Sequence, residues 1–344
     1  MDIVVAGVGY VGLVTAVCLA EIGHNVTCID VQREKIEKLL KGESPIFEPN
    51  LENLMHKNKE RLHYTIDDEA AYKKSDVIFI TVGTPENEDG SVNLKYLYNV
   101  VERIAEHIEK DVVIVIKSTV PIGTNDQIEK FIRSKLKNNI NIEVVSNPEF
   151  LSQGTAIEDT MNAQRIVLGV SSEKAKEIMK QVYDKFEQPY IFTDRHSAEM
   201  IKYASNDFLA LKISYMNEIA NLCEKVNANV EDVAIGMGMD KRIGDKFLKA
   251  GIGYGGSCFP KDTKALQYIA KEHGCDLKTI NATIEVNDSQ KKKMIEKAKK
   301  YYSSFKGIKI AVLGLTFKPN TDDLRESPVL DNIPVLIKEN RKKK

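Results

Sequence analysis

The chain has 344 residues, 42% hydrophobic content and a formal net charge of -1. This length leaves room for two domains and part of a third, and the balanced charge argues against a nucleic-acid or an anionic-membrane partner. No apolar run is long enough to span a bilayer, so we expect a cytoplasmic protein.

The first thirty residues predict a strand, a tight turn, a helix and a second strand, at residues 3–6, 7–10, 11–22 and 26–29. Three glycines, Gly7, Gly9 and Gly12, form the pattern G-x-G-x-x-G at the first turn. Because a strand precedes the pattern and a helix follows it, the turn is predicted to bind a dinucleotide. The alternative is a strand-helix-strand unit whose glycines serve only packing.

Asp30 closes the second strand, 18 residues after Gly12. A carboxylate at this position would accept hydrogen bonds from an adenosine ribose and would repel a 2′-phosphate, which favours NAD over NADP. Arg33 and Lys35 follow closely, and a nearby cation could offset that repulsion.

Strands and helices keep alternating up to residue 146, with strands predicted at 77–82, 112–116 and 142–146 and helices at 94–107 and 125–136. This order predicts an α/β protein with an N-terminal Rossmann-type, doubly wound parallel sheet. Ligands of such sheets bind at the carboxyl ends of the strands.

Three of these strand ends carry the short polar sequences "VGTP" (82–85), "KSTVPIGT" (117–124) and "SNPEF" (146–150). We therefore expect Thr84, Thr119 and Glu149 to point toward one crevice beside the cofactor. Turn formation and helix capping are the alternative, although capping explains Glu149 less well.

No glycine or proline occurs between His196 and Asn229, which predicts one long helix that links domains or forms a dimer seam. Lys202 and Asn206 are four residues apart and therefore lie on one face. Together they could hold an oxygen that develops negative charge. A solvent-facing lysine is the alternative.

The stretch "GIGYGGSCFPKD" (251–262) places Cys258 after four glycines. The glycines would admit a small ligand to the sulfur, Lys261 and Asp262 provide a cation and a potential base, and a helix is predicted to begin just past the cysteine. The other cysteines form no C-x-x-C pair, so neither a disulfide framework nor a metal site is expected. Cys18, Cys28 and Cys223 are predicted to be small buried hydrophobes.

NAD together with a nucleophilic thiol implies a specific chemistry. An alcohol oxidised to an aldehyde can be captured by a thiolate, and the resulting thiohemiacetal can be oxidised again to a thioester that water hydrolyses. The sequence thus predicts a four-electron oxidation that uses two NAD in succession.

Long motifs in this chain resemble those of the UDP-glucose/GDP-mannose dehydrogenase family over residues 1–332. They are "GVGYVGLVTAVCLAEIGHNV", "KSTVPIGT", "SNPEFLSQGTA", "AEMIKYASNDFLALKISYMNEIANLCE", "GIGYGGSCFPKDTKAL" and "LGLTFKPNTDDLRESP". The resemblance implies oxidation of UDP-glucose to UDP-glucuronate, with Phe259 closer to the UDP-glucose members than to the GDP-mannose members. It also implies a homodimer through the long helix.

The resemblance implies the following residue roles. Cys258 is the nucleophile, Lys202 and Asn206 stabilise the oxyanion, Asp262 positions or activates the hydrolytic water, and Thr119 and Glu149 lie beside the reacting carbon. The NAD site comprises Gly7, Gly9, Tyr10, Val11, Gly12, Asp30, Lys35, Thr84, Thr119, Lys261 and Arg325. The nucleotide-sugar site comprises Glu149, Phe150, Leu151, Ser152, Gln153, the backbone up to Gly154, Lys202, Asn206, Arg242 from the neighbouring subunit, Phe247, Leu248, Lys249, Ala250, Gly251, Gly255 and Lys318.

Two departures from the family pattern stand out. Gln153 occupies a position where many members have Glu, in a loop expected to act through its backbone. Family members also continue past residue 336, whereas this chain ends in "IKENRKKK", so we expect a remnant of a C-terminal α/β domain with one strand at 308–314 and one helix at 327–339.

The expected domains are an NAD-binding domain at 1–195, an all-α central domain at 196–302 and an incomplete UDP-binding domain at 303–344. Three alternative functions stay open: a two-electron hydroxyacid dehydrogenase, a GDP-mannose dehydrogenase, and a truncated NAD-binding paralogue with impaired catalysis.

Overall fold

A computed structural model describes residues 1–136 and 139–341. The chain divides into two compact units, Met1–Asn87 with Val92–Lys202, and Glu88–Ser91 with Tyr203–Lys344. The three domain boundaries expected from the sequence stay a prediction. Within the described ranges, no helix has the combination of length and apolar composition that crossing a bilayer demands.

The first unit is built on an eight-stranded sheet. Its strands are β1 (Asp2–Ala6), β2 (Asn25–Ile29), β3 (Leu62–Thr65), β4 (Val77–Ile80), β5 (Val112–Ile116), β6 (Ile142–Ser146), β7 (Ile166–Gly169) and β8 (Tyr190–Thr193). The strand order is β3-β2-β1-β4-β5-β6-β7-β8, and every neighbouring pair is parallel except β6 and β7. The predicted doubly wound sheet is confirmed, and β3, β7 and β8 extend it beyond the predicted strands.

Helices cover both faces of this sheet. They are α1 (Tyr10–Glu21), α2 (Arg33–Leu40), α3 (Leu51–Lys57), α4 (Asp68–Lys74), α5 (Lys95–His107), α6 (Thr124–Lys135), α7 (Ala156–Met161) and α8 (Glu173–Tyr183), followed by a 3-10 helix at Asp184–Phe186. Strand residues alternate between two apolar clusters, so that Val77 and Phe79 enter one while Ile78 and Ile80 enter the other. This alternation reflects the period of two along a strand and explains the near-continuous apolar strand sequences.

The second unit is helical. It holds most of α9 (Arg195–Val226), which begins in the first unit, and then α10 (Val230–Gly238), α11 (Phe259–Glu272), α12 (Lys278–Gln290), α13 (Lys293–Tyr301) and α14 (Pro328–Arg341). The predicted long helix is confirmed. It ends where Asn227 takes a left-handed backbone conformation, with φ of 57°.

The predicted strand at residues 308–314 is wrong, because these residues form no regular element. A strand requires a neighbour to satisfy its backbone groups, and no strand of the second unit's described residues lies beside this segment. The helix predicted at residues 327–339 is confirmed as α14. Ser327 ties its start to the preceding segment by donating to the Leu315 carbonyl at 2.9 Å.

Candidate active site

The turn between β1 and α1 is shaped by its glycines. Gly7 has φ of +102°, and a Cβ on Gly12 would lie 1.8 Å from the Gly7 carbonyl oxygen. Internal packing therefore requires glycine at both positions. A Cβ on Gly9 would meet no described atom within 4 Å, and Gly9 precedes Tyr10 at the start of α1. Open space beside glycine backbone at a helix N-terminus is the setting in which Rossmann-type folds bind a pyrophosphate.

Asp30 is fixed at the carboxyl end of β2. Its carboxylate accepts hydrogen bonds from the amides of Val8, at 3.0 Å, and Gln32, at 2.9 Å. The Lys35 ammonium lies 3.7 Å from the same carboxylate. The structure thus brings together Asp30, which the sequence assigned to the adenosine ribose, and Lys35, a cation that could offset the repulsion of a 2′-phosphate.

Thr84 and Thr119 also lie together, since the Thr84 hydroxyl donates to the Thr119 carbonyl at 2.8 Å. The turn that follows Thr119 is held by Glu199 of α9. This carboxylate accepts from the amide of Gly123 at 2.6 Å and from the Asn125 amide and side chain at 2.9 and 2.6 Å. Burial raises the pKa of Glu199 despite these bonds. Sequence reasoning missed Glu199, although it lies one turn before Lys202 on the same helix.

Glu149 and Lys202 form a buried ion pair. The Lys202 ammonium donates to the Glu149 side chain at 2.8 Å and to the Glu149 carbonyl at 2.7 Å. Burial alone would raise the pKa of Glu149, but the Lys202 charge and the hydrogen bonds from Lys202 and the Leu151 amide outweigh it and hold this pKa below its ordinary value. Glu149 is therefore an ionised carboxylate at neutral pH.

A second buried lysine lies in the same unit. Lys117, at the end of β5, donates to the Asn147 side chain at 3.1 Å. Burial lowers its pKa to about 8, against an opposing effect of the Glu149 charge. Lys117 was not singled out in the sequence. Its position at the head of the "KSTVPIGT" loop is the signal that could have identified it.

The loop after Glu149 has its backbone donors engaged within the protein. The amides of Leu151, Ser152 and Gly154 donate to Glu149, Asp159 and Glu48, at 2.9, 2.8 and 2.7 Å. The Phe150 ring faces the Arg165 guanidinium at 4.2 Å and the Lys202 ammonium at 5.5 Å. The loop expected to contact substrate through its backbone is thus braced by three carboxylates of the same unit.

In the second unit, Asn206 and Lys261 share Asp262. The Asn206 amide donates to one Asp262 oxygen at 2.6 Å, and the Lys261 ammonium donates to the other at 2.6 Å. Asp262 is buried. Asn206, like Lys202, is thus bonded to a carboxylate of its own unit, and the pairing of the two donors around one substrate oxygen stays a prediction.

Asp207, which follows Asn206, was missed by the sequence reasoning. It is 2% exposed, and neither carboxylate oxygen has a hydrogen-bond partner among the described residues. Burial, with a smaller effect of the Asp262 charge, raises its pKa to about 8. Asp207 is therefore largely protonated at neutral pH, which is how a protein tolerates a carboxyl group with no partner.

Cys258 is exposed and immediately precedes α11, as predicted. Its sulfur lies 3.7 Å from the Ser257 hydroxyl. By contrast, Cys18, Cys28 and Cys223 are buried, and burial raises the pKa of Cys18 and Cys28 to about 12. Exposure at a helix start is the setting in which a thiol can ionise and react.

The glycines before Cys258 have a structural explanation that the sequence reasoning did not include. A Cβ on Gly255 would lie 2.3 Å from the Glu326 carbonyl oxygen, and one on Gly256 would lie 2.8 Å from the Phe317 ring. The Gly256 amide donates to the Arg325 carbonyl at 2.8 Å. Most of these glycines are therefore needed because other parts of the chain pack against them. Of the four glycines in this loop, Gly251 alone would have no described atom within 4 Å of an added Cβ.

Arg325 is electrostatically linked to Cys258. Its pKa is raised first by the hydrogen bonds to Asp323, against the opposing effect of burial, and further by electrostatic interaction with Asp323 and Cys258. The guanidinium donates to both Asp323 oxygens, at 2.8 and 2.7 Å. A predicted cofactor residue is thus also a source of positive potential for the thiol.

The remaining predicted substrate residues lie in the second unit. Leu248 is buried, while Phe247 packs 6.1 Å from the Phe259 ring. Gly251 is anchored at its amide by Asn217, at 2.7 Å, and at its carbonyl by Gln290, at 2.7 Å. Among the other predicted substrate residues, Lys249 and Ala250 are exposed. Arg242 is also exposed and forms an ion pair with Asp240, and the Lys318 ammonium lies 5.7 Å from the centre of the Phe317 ring.

Comparison with known proteins identifies the family. Residues 1–187, 196–289 and 311–343 match the NAD binding, central and UDP binding domains of the UDP-glucose/GDP-mannose dehydrogenase family. The chain is 53% identical over 330 residues to UDP-glucose 6-dehydrogenase YwqF of Bacillus subtilis (strain 168), which covers 95% of this chain and 75% of that protein. The chain belongs to the UDP-glucose/GDP-mannose dehydrogenase family.

Solved structures agree with this membership. A UDP-glucose dehydrogenase from Pyrobaculum islandicum superposes with a TM-score of 0.95 at 36% identity, covering 98% of this chain and 79% of that one. A GDP-mannose dehydrogenase from Psuedomonas aeruginosa superposes with a TM-score of 0.67 at 33% identity, covering 99% and 80%. The α/β fold expected from the sequence is thus the fold of this dehydrogenase family.

Asp207 generates a prediction about stability and pH. Between its ordinary value and about 8, the folded state retains a proton that the unfolded state has released, so the free energy of unfolding falls as pH rises through this window. For one fully titrating group the fall approaches ~1.4 kcal/mol per pH unit. Asp207→Asn should therefore gain stability relative to the parent as pH rises from 5 to about 8.

Urea unfolding at several pH values measures this difference. The matched control is Asp288→Asn, which removes an exposed carboxylate of the same unit and should leave the pH dependence unchanged. Parallel pH profiles for the parent and Asp207→Asn would contradict a protonated Asp207.

Proposed function

We propose that this chain is an NAD-dependent dehydrogenase that oxidises UDP-glucose to UDP-glucuronate, with two NAD consumed per turnover. Family membership and the relatives named UDP-glucose 6-dehydrogenase support the substrate. The observation that carries the chemistry is the exposed Cys258 thiol at the start of α11, because an ordinary alcohol oxidation requires no nucleophile.

The proposed reaction has four steps: oxidation of the alcohol, addition of the Cys258 thiolate, a second oxidation and hydrolysis. Bound NAD supplies the hydride acceptor. The primary alcohol loses a hydride and a proton to become an aldehyde, and the Cys258 thiolate adds to the aldehyde carbon to form a thiohemiacetal. A second loss of hydride and proton leaves a thioester. Water then cleaves the carbon–sulfur bond, which releases the acid and restores the Cys258 thiol.

Negative charge develops on the substrate oxygen during thiolate addition and again during hydrolysis. Lys202 and Asn206 are proposed to donate to that oxygen, which requires Lys202 to exchange part of its bonding with Glu149 and Asn206 part of its bonding with Asp262. Asp262 is proposed to orient the hydrolytic water. Thr119 and Glu149 are proposed to lie beside the reacting carbon.

The proposed ligand sites follow the sequence assignments. The glycine turn, Asp30, Lys35, Thr84 and Arg325 would hold NAD, and the loop after Glu149, residues 247–251, Gly255 and Lys318 would hold the nucleotide sugar. No metal is needed for any step. The cytoplasmic location stays a prediction.

Replacing the nucleophile provides the direct test. The parent should form two NADH per UDP-glucuronate, because the same carbon is oxidised twice. Cys258→Ser should form no acid at a steady rate, since a hydroxyl without activation is a poor nucleophile at neutral pH. Cys275→Ser is the matched control, because Cys275 is the other exposed cysteine of the described chain and should be dispensable.

NADH is followed by absorbance and the sugar product by chromatography. One NADH per product would support the hydroxyacid alternative, and NAD binding without turnover would support a catalytically impaired paralogue. Preferential oxidation of GDP-mannose would assign the chain to the other branch of its family. Undiminished acid production by Cys258→Ser would contradict the covalent route.

We also propose that two copies associate through α9. Phe208, Tyr215 and Leu222 are 61%, 47% and 54% exposed and recur every seven residues, so they form one apolar stripe. Met200 and Val226 extend it toward the two ends of the helix. Large exposed side chains at this spacing are typical of a helix seam covered by another helix.

A charge within this stripe should weaken the dimer. Leu222→Glu is expected to raise the dimer dissociation constant by about tenfold or more, equivalent to ~1.4 kcal/mol, because it leaves a carboxylate in an apolar seam. Met294→Glu, at an exposed apolar position of α13, is the matched control. Sedimentation velocity over a range of concentrations gives the constants. A monomeric parent, or a Leu222→Glu variant that matches the parent, would contradict the seam.

A further inference from the structure

Glu48 joins two parts of the first unit that have separate proposed roles. It lies between α2 and α3, is 7% exposed, and one of its oxygens accepts both the Tyr10 hydroxyl and the Gly154 amide, the latter at 2.7 Å. Its other oxygen accepts the Ala156 amide at 2.7 Å. A single buried carboxylate thus holds the first residue of α1 and the end of the loop at residues 150–156.

The two ends of this connection are close to different ligands in the proposed function. Tyr10 directly follows Gly9 in the dinucleotide-binding turn, and the Gly154 amide also donates to the Tyr10 hydroxyl, at 2.8 Å. Residues 150–154 of the loop are the proposed contact of the nucleotide sugar. A displacement of the turn would therefore be transmitted to the loop through Tyr10 and Glu48.

The chemistry of the carboxylate makes this connection strong. Hydrogen bonds to an ionised acceptor are about twice as strong as neutral ones, and Glu48 accepts three. Gly154 has φ of +88°, a conformation that ordinary side chains rarely adopt, so the loop needs glycine at the point where Glu48 holds it. The carboxylates of Glu149 and Asp159 hold the earlier part of the loop.

We propose that Glu48 is a positioning residue that couples the dinucleotide-binding turn to the loop at residues 150–156, so that a bound nicotinamide cofactor increases the affinity for the nucleotide sugar. This inference rests on the proposed function. It adds a residue that transmits binding between the two ligands and touches neither. By linkage, the sugar increases the affinity for the cofactor by the same factor.

Binding without turnover tests the coupling. Isothermal titration calorimetry of UDP-glucose is carried out with and without saturating NADH, which cannot oxidise the sugar. In the parent, NADH should lower the UDP-glucose dissociation constant by about fivefold or more, a typical coupling. In Glu48→Gln this ratio should fall toward one, because an amide has only one acceptor oxygen and turns a donor toward an N–H group.

Steady-state kinetics give a second readout. Glu48→Gln should raise the KM for UDP-glucose while leaving kcat close to that of the parent, a split that general loss of structure would not produce. Tyr10→Phe removes only the hydroxyl and should lose part of the coupling even if Glu48→Gln folds poorly. Glu52→Gln is the matched control, because Glu52 is exposed and its carboxylate accepts only the Ser44 amide among its described contacts.

The outcomes separate this inference from the proposed function. A parent that binds NADH but not UDP-glucose would refute the proposed substrate. A parent that binds both ligands without coupling would refute the coupling alone, as would Glu48→Gln and Tyr10→Phe variants that retain the parental ratio.

Discussion

The buried ion pair between Lys202 and Glu149 is the interaction on which the proposed site in the first unit depends. Both side chains are buried with their charged groups 2.8 Å apart, so each charge offsets part of the desolvation cost of the other. Removing either partner would leave an uncompensated buried charge, at a cost of about 3–5 kcal/mol. The pair therefore fixes the start of α9 against the end of β6, and with it Phe150 and the loop that follows. The same lysine is the proposed donor to the substrate oxygen, so Lys202 would contribute both to the stability of the fold and to catalysis.

Carboxylates organise the proposed site throughout. Glu199 holds the turn after Thr119, Glu48 holds the loop at residues 150–156, and in the second unit Asp262 holds Asn206 and Lys261. Each of these acids receives at least two donors, which keeps reactive side chains and loops in one geometry before any ligand binds. The exchange of hydrogen bonds proposed for Asn206 would therefore start from one defined geometry, with its amide on Asp262.

The sequence was sufficient for features that depend on local patterns. The glycine turn, Asp30 at the end of β2, the long helix and the exposed Cys258 each follow from periodicity, spacing or turn chemistry. Glu48, Lys117 and Glu199 were missed because their roles depend on partners 30 or more residues away. The strand at residues 308–314 was wrong because apolar composition does not provide a neighbouring strand. The glycines before Cys258 were explained only in part, since Glu326 and Phe317 approach them from a distant segment.

In the proposed mechanism, Cys258 carries the sugar as a thioester between the second oxidation and hydrolysis. Asp262→Asn should slow hydrolysis, because it replaces the residue proposed to orient the water, and the thioester should then accumulate. Acid-quenched protein from a reaction with NAD and UDP-glucose can be examined by intact and peptide mass spectrometry. One UDP-glucuronyl group is expected on the peptide that contains Cys258. Formation of NADH and acid with no modified Cys258 at any quench time would contradict it.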